Sequence, residues 1–342
     1  MGTGAQEQEL GIKMRRLGKE DLATVVALDA ANAGRLRSFY FQRRLGAALA
    51  APDLHVQLGA ERDGKVVGFI MARLLRGQFG RSEWALRLEA MGVEPGVKGE
   101  GIGSALLTQL QSEARRLKAQ AIRTGASWRD HRILKFFDHG GFELANNLVL
   151  DCAVHGNRLN VHESDRVLAP THLTGFSTTE VDYSANTGND AEALARDSAD
   201  VRTLRREDLD DIVRIDQAFT GRRRQDYIGE LVEEALSDSA VRVSLVARLD
   251  GITAGFVMAR TDFGDFGRAE PVAILDTLGV TPAFARCGLG HALLSQLFVN
   301  LQGLRVERVE TAVARDNFGL LGFLYKVGFA PSERLGFVKH LV

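Results

Sequence analysis

The chain has 342 residues, of which 45% are hydrophobic and 25% are charged, and its formal net charge is −1. This composition is ordinary for a folded globular protein, and the charge balance excludes the basic excess that a general nucleic-acid-binding protein usually carries. Two cysteines offer no disulfide framework and no apolar run is long enough to span a bilayer, so the sequence predicts a cytoplasmic protein without a nucleic-acid or membrane partner.

The predicted elements of the first part of the chain mix strand and helix patterns. Residues 1–11 are polar and are expected to fray. The turn signal Asp63-Gly64 joins two strands into a hairpin, and apolar residues at helical spacing follow a long apolar strand. The predicted order is a strand (12–17), two helices (19–28 and 43–49), three strands (55–61, 66–74 and 82–93), a helix (105–117), a strand (121–127), a helix (130–139) and a closing strand (144–153).

A glycine-rich turn, VEPGVKGEGIGS, runs from Val93 to Ser104 and connects the long strand to the following helix. Such a turn brings backbone N–H groups and the positive end of a helix together, which suits a phosphate or pyrophosphate. The dinucleotide fingerprint does not fit, because Ser104 or Leu106 stands where its third glycine belongs. The Walker pattern does not fit either, since no Gly-Lys-Ser/Thr follows. Taken alone, the turn is equally compatible with a purely structural role.

A second copy of the same pattern lies 187 residues further along the chain. Adding 187 carries Gly101 and Gly103 onto Gly288 and Gly290, and no gap is needed over the rest of the repeat. The sequence therefore predicts a tandem duplication. We expect an N-terminal domain at 12–154, a linker at 155–199 with one short helix at 190–196, and a C-terminal domain at 200–342.

Both turns follow V-x-P and resemble the R/Q-x-x-G-x-G/A loop of the GCN5-related N-acetyltransferases (GNAT). Lys98 stands at the basic position of the first loop, whereas the second loop has Ala285 there and Arg286 one place later. The resemblance implies an α/β (α+β) fold of two GNAT-like domains, each a mixed, largely antiparallel sheet flanked by helices. It also implies acetyl-CoA or another acyl-CoA as co-substrate, no metal, and a small-molecule or peptide amine as acceptor.

The resemblance also assigns roles to residues around the two loops. The strand before each loop is expected to polarise the thioester through its backbone N–H groups. The residues implied in cofactor binding are Met91, Val93, Lys98, Gly99, Gly101, Gly103 and Ser104 in the first copy, and Leu278, Val280, Arg286, Gly288, Gly290, His291 and Asn317 in the second.

An acid on that same strand is the candidate general base in each copy, Glu89 in the first and Asp276 in the second. The alternative is a solvated or N–H-bonded acid at the edge of the sheet. The family's general acid is usually a tyrosine, but Leu324 occupies that position and Tyr325 lies one residue later. In the first copy Phe137 stands there. Tyr325 is the remaining candidate acid, unless it only packs and water protonates the leaving group.

Three interpretations of function follow. The first is an acyl-CoA-dependent N-acyltransferase, most simply one that acetylates a primary amine. The second is a CoA-binding protein that has lost catalysis, and the third is a scaffold in which the duplicate only builds an interface. Two arginine-rich runs, at 35–37 and 222–224, either attract an acidic acceptor or form a solvated face. Cys287, inside the second loop, is interpreted as incidental.

Overall fold

The computed structural model describes residues 3–75, 84–155, 200–237, 243–249, 251–262 and 272–341. The predicted linker lies outside the described residues except for its first residue, and so does the short helix predicted at 190–196. None of the helices within the described ranges is long and apolar enough to cross a membrane.

The first repeat follows the predicted order of elements. The start of the chain is helical rather than frayed, and Leu10 in that helix packs against the core beneath the first loop. The elements are α1 (Thr3–Leu10), β1 (Lys13–Arg16), α2 (Leu22–Ala33), α3 (Ser38–Ala50), β2 (His55–Arg62), β3 (Lys65–Leu75), β4 (Ala85–Val93), α4 (Ile102–Arg116), β5 (Ala121–Ser127), α5 (His131–His139), β6 (Glu143–Leu144) and β7 (Asn147–Ala153).

The second repeat reproduces this order without a counterpart of α1 in the described part of the chain. Its elements are β8 (Asp200–Thr203), α6 (Leu209–Thr220), α7 (Gln225–Ser237), β9 (Leu245–Leu249), β10 (Ile252–Asp262), β11 (Val272–Val280), α8 (Leu289–Gly303), β12 (Arg308–Ala314), α9 (Phe318–Val327), β13 (Ala330–Pro331) and β14 (Arg334–His340).

Two seven-stranded sheets form the centre of the molecule, with strand orders β1-β2-β3-β4-β5-β14-β6 and β13-β7-β12-β11-β10-β9-β8. All the pairings are antiparallel except β4 with β5 and β11 with β12. Helix α4 packs on one face of the first sheet through buried Leu106 and Leu110, and α2 and α3 pack on the other face around Phe41 and Phe69. The predicted fold class, two mixed and largely antiparallel sheets flanked by helices, is confirmed.

The closing strands of the two repeats are exchanged. Strand β14, at the end of the second repeat, pairs along its whole length with β5 of the first, and β7 pairs likewise with β12. Neither repeat completes its own sheet, and pulling them apart would expose unpaired N–H and C=O groups on both sheets. The division at 12–154, 155–199 and 200–342 stays a prediction about the sequence repeats, because each sheet contains strands of both.

Candidate acyl-CoA sites

The two glycine-rich loops follow one backbone path despite their different sequences. A 3-10 turn comes first, at Pro95–Val97 and at Pro282–Phe284. The next residue is extended, with φ −66° and ψ 140° at Lys98 and φ −64° and ψ 145° at Ala285. Both loops end on a left-handed glycine that caps the helix, at φ 93° for Gly101 and φ 77° for Gly288. The duplication has therefore preserved the shape of the loop and not its side chains.

One position of this shared path costs the second loop conformational energy. Gly99 has φ 90° in the first loop, and its counterpart Arg286 has φ 65° in the second. A residue with a Cβ in the left-handed region is disfavoured by about 1–2 kcal/mol relative to the right-handed one. The second loop keeps the conformation although an arginine stands where glycine fits without strain.

Each loop presents backbone donors at the start of a helix. The first N–H groups of α4 and α8 have no acceptor within the helix, and the positive end of the helix adds to their attraction for an anion. Close packing explains the last glycine of the motif. A Cβ at Gly103 would lie 3.2 Å from Met91 and 3.4 Å from Phe136, and a Cβ at Gly290 would lie 3.1 Å from Phe323.

The strand before each loop separates from its parallel neighbour just where the candidate acid stands. Strands β4 and β5 pair only as far as Arg87 with Arg123, and the hydroxyl of Thr124 then donates to the carbonyl of Leu88 (3.2 Å). The second sheet repeats this arrangement, with the hydroxyl of Thr311 donating to the carbonyl of Leu275 at 2.9 Å. Beyond this point the edge of β4 or β11 no longer faces a strand.

The exposed edge carries the N–H groups expected to face the thioester. Glu94 donates its N–H to Val67 in β3 (2.8 Å), and hydrogen-bonding direction alternates along a strand. The N–H groups of Met91 and Val93 therefore point away from β3, into the opening between β4 and β5. Thr281 donates in the same way to Ala254, so Leu278 and Val280 have the same orientation in the second sheet.

Both candidate acids are the extra residue of a β-bulge. In the first sheet Met71 pairs with Ala90 and Ala72 with Leu88, which leaves Glu89 unpaired in register. In the second sheet the same shift leaves out Asp276. Bulges bend a strand and redirect a side chain, and they are frequent beside active sites. The bulge places each carboxyl at the point where its strand leaves the parallel neighbour.

Arginines that the sequence interpretation did not consider hold both acids. Glu89 is buried and lies 3.3 Å from Arg44 of α3 and 3.6 Å from Arg73 of β3. Asp276 accepts a hydrogen bond from Arg260, the counterpart of Arg73, at 3.0 Å. The shift of 187 relates Arg73 to Arg260 but carries Arg44 onto Leu231, and it does not show which residues these arginines contact. The side chain of Asp276 is 12% exposed and that of Glu89 is 4% exposed, so the second acid is the more accessible one.

The residues at the expected general-acid position are part of the cores. Leu324 and Phe137 are fully buried, whereas Tyr325 is 38% exposed on α9. Asn317 is the N-cap of that helix, and its side-chain oxygen accepts the N–H of Leu320 at 3.2 Å. The structure thus accounts for the departure from the family pattern, because the usual tyrosine position points into a packed interior.

Neither arginine run is simply a solvated face. Arg37 forms a buried two-pronged ion pair with Asp29, at 2.8 and 2.5 Å, and Arg224 forms the equivalent pair with Asp216 at 2.9 and 2.5 Å. Such pairs fix the connection between the first two helices of each repeat. The last arginine of each run therefore has a structural partner.

A half-buried histidine was also missed at the sequence level. His55, at the start of β2, contacts the carbonyl of Ala51 through Nδ1 at 3.0 Å. Burial lowers the pKa of His55 below its ordinary 6.5, and the nearby charges act in both directions, since Glu89 raises this pKa while Arg73 and Arg44 lower it. The ring is neutral near pH 7, and the bond at Nδ1 leaves Nε2 as the basic nitrogen.

A family model described as the acetyltransferase (GNAT) family matches residues 26–142 and again residues 209–329, which together make up more than half of the chain. The chain belongs to this family. The two matched segments correspond to the two sequence repeats, so the predicted family and the tandem arrangement are confirmed.

Solved structures with the same fold include other two-domain members. A tandem GNAT protein from the clavulanic acid biosynthesis pathway is 17% identical, with a TM-score of 0.61 over 97% of this chain and 99% of that one. A GCN5-related N-acetyltransferase from Sphaerobacter thermophilus is 15% identical, with a TM-score of 0.57 over 96% of both chains. A GCN5-related glucosamine N-acetyltransferase region of a fungal multi-domain β-N-acetylglucosaminidase is 16% identical, with a TM-score of 0.60. It matches 95% of this chain, which spans 38% of that longer protein.

Proposed function

We propose that the chain is a cytoplasmic acyl-CoA-dependent N-acyltransferase that transfers acetyl from acetyl-CoA to a primary amine of a small-molecule or peptide acceptor. The observation that supports this most is the conjunction, in both repeats, of a bulged acid, an opening between two parallel strands and a glycine loop at a helix start. Together these features provide a place for the pyrophosphate, the thioester and the amine.

The loops hold the phosphate end of the cofactor in this proposal. Their backbone N–H groups do most of the work, and a single cation adds to it in each loop. The residues assigned to this role are Lys98, Gly99, Gly101, Gly103 and Ser104 in the first repeat, and Arg286, Gly288, Gly290 and His291 in the second, with Asn317 at the start of the following helix.

The reaction makes one bond and breaks one. The ammonium nitrogen loses one proton before it attacks, which the base passes to solvent, and a second proton as the amide forms, which balances the proton that the sulfur gains. The amine nitrogen bonds to the thioester carbonyl carbon and the C–S bond breaks, while the N–H groups of Leu278 and Val280, or of Met91 and Val93, donate to the carbonyl oxygen. Asp276 accepts the ammonium proton, directly or through water, and Glu89 is its counterpart. Tyr325 returns a proton to the departing sulfur, which leaves as the CoA thiol.

A catalytically degenerate CoA-binding protein is the second candidate. It is favoured by Leu324 and Phe137, which fill the usual acid position with buried apolar side chains. A binding protein needs the loops but no acid that faces the thioester. An enzyme in which water protonates the leaving group would not need Tyr325.

The test supplies acetyl-CoA together with a panel of amines and peptides, and follows release of the CoA thiol and the mass of the product. We expect release that depends on an amine, with an N-acetylated product. The double variant Gly101→Val/Gly288→Val is the matched control, because it alters both loops and should abolish the reaction. Calorimetric binding of acetyl-CoA without any consumption would instead support the binding protein.

A further inference from the structure

A cavity of about 650 Å³ lies between the two repeats, where α3 of the first faces α7 of the second. It is large enough for a small-molecule ligand, since such sites are typically about 300–1,000 Å³ in size. Both repeats line it, so this cavity is shared by the two copies.

The two walls of this cavity carry groups of opposite charge. The basic wall comes from the first repeat and consists of Arg43, Arg44 and Arg73, of which the last two also contact the buried Glu89. The acidic wall comes from the second repeat and consists of Glu230, Glu233 and Asp276, with Arg206 beside Glu233 and Arg260 beside Asp276.

Arg43 and Glu230 are counterparts under the shift of 187, so a cation of one repeat has become an anion in the other. Both side chains are half-buried. The two duplicated helices thus present opposite charges to the cavity at this one equivalent position.

Asp276 connects the cavity with the opening between strands. It lines the large cavity and also a smaller one of about 110 Å³ between the two sheets, which includes Ile274 and Glu310, the last parallel pair of β11 and β12. Thr261, on the same side of the large cavity, has a buried hydroxyl oxygen without a hydrogen-bond partner in the described part of the chain. Because Asp276 borders both cavities, an acceptor amine placed against it would lie next to the site assigned to the thioester.

We propose that the acceptor is a bipolar molecule, a primary amine that also carries a separate carboxylate or phosphate, and that it binds in this shared cavity. Its amine lies toward Asp276 and the acidic wall, and its anionic group lies toward Arg43 and Arg44 of the basic wall. This inference rests on the proposed function, because it names the substrate class of the same site. Opposite charges on facing walls orient such a molecule and disfavour the reverse orientation.

The test uses straight-chain ω-amino acids of increasing length, each paired with the amide that replaces its carboxylate by an uncharged group. Binding of each probe to the CoA-saturated protein is measured by calorimetry, and acetylation by thiol release. We expect the carboxylate form of the best-fitting length to bind and react at least about tenfold better than its amide, as for loss of one hydrogen bond to a charged group.

Substitutions in each wall test which residues cause the preference for the carboxylate probe over its amide. Arg43→Gln should remove most of the preference for the carboxylate, with little change for the amide, and Glu230→Gln should weaken binding of both members of a pair. Arg214→Gln, at an exposed arginine of α6 that pairs with Asp211, is the control and should change neither. Equal binding of carboxylate and amide at every length, or an equal effect of Arg43→Gln on both, would overturn the proposal. So would the absence of binding by every ω-amino acid.

Failure of the proposed function is a different result. It would show as no acetyl-CoA consumption with any amine, neutral alkylamines included. Because calorimetry measures probe binding without turnover, the charge preference of the cavity is decided in that case as well.

Discussion

The loop that begins α4 carries Lys98 and Glu100. In the loop that begins α8, Cys287 is the counterpart of Glu100, and Arg286 lies one place after the counterpart of Lys98. The carboxylate of Glu100 is held by Arg62 at 2.7 Å, so the first loop combines a cation with a local ion pair. The second loop has a cation in a strained backbone position and a neutral neighbour. The first loop is therefore the less strained place to bind the cofactor.

The loops favour the first repeat, whereas the accessibility of the candidate acids favours the second. Glu89 contacts Arg44 and Arg73 and its side chain is 4% exposed, while Asp276 contacts Arg260, is 12% exposed and borders two cavities. The comparison indicates that the two repeats have diverged after the duplication, the first toward a less strained loop and the second, which keeps a loop of its own, toward a more accessible acid. We propose that the first repeat binds the cofactor more tightly and that the second repeat is the better reaction site.

The largest expected effect comes from the acids. Asp276→Asn should lower kcat by a factor of about 10²–10⁴, the usual contribution of a general base, with nearly unchanged affinity for acetyl-CoA. Glu89→Gln is the matched change in the first repeat and should leave most of the activity. Steady-state kinetics and calorimetry measure the two quantities. Loss of turnover in Glu89→Gln alone would assign the reaction to the first repeat.

Loss of the buried ion pair should destabilise the protein to the same extent in either repeat, although the two repeats differ in chemistry. Arg37→Met and Arg224→Met each leave an unpaired buried carboxylate, Asp29 or Asp216, and should each lower the free energy of unfolding by about 3–5 kcal/mol. Because the closing strands are exchanged, we expect a single denaturant transition in both variants. Two separate transitions, with only one of them shifted, would contradict the coupling of the two sheets.

The loop cations should differ in their contribution to acyl-CoA binding. Lys98→Ala should cost about 1.5–3 kcal/mol of binding free energy, as expected for loss of a hydrogen bond to a charged group, and Arg286→Ala should cost less. Isothermal titration with CoA compares the two variants. A larger loss from Arg286→Ala would reverse the ranking of the loops.

The smallest effect concerns His55 and pH. Its pKa is lowered by burial in the folded protein, so between its ordinary 6.5 and the lowered value the unfolded state binds the proton and the folded state does not. Stability from the neutral ring is present above pH 6.5 and is lost as the pH falls below it. Denaturation from about pH 8 to about pH 5.5 should therefore show a shallower loss in His55→Asn than in the unaltered chain. The same slope in both would remove His55 as its cause.

Much of the fold was predictable because the duplication repeats every signal. The family is identified by the loop motif together with the strand and helix periods and the shift of 187. The two segments that the family model matches lie in the two repeats. The exchange of β7 and β14 was not predictable. These closing strands belong to different copies of one repeat and have the same pattern, so each fits either sheet and the local pattern does not choose between them.

The bulges left a signal that could have been used. Leu86 and Leu88 face the first core, and so do Met91 and Val93, so the alternation of apolar residues changes phase at Glu89. The second strand shows the same change around Asp276. The partners of the acids were harder to find, because Arg73 and Arg260 lie on a neighbouring strand and their distance in sequence says nothing about the register of the pairing.

The most direct test of the division between the repeats is amine-dependent acetyl-CoA turnover with each loop altered in turn. Gly101→Val and Gly288→Val place a β-branched residue at matched left-handed positions and disturb one set of backbone donors each. Thermal unfolding confirms that both variants are folded before their rates are compared. The account predicts that Gly288→Val abolishes turnover and that Gly101→Val retains it. Turnover that survives Gly288→Val and is lost in Gly101→Val would contradict the account.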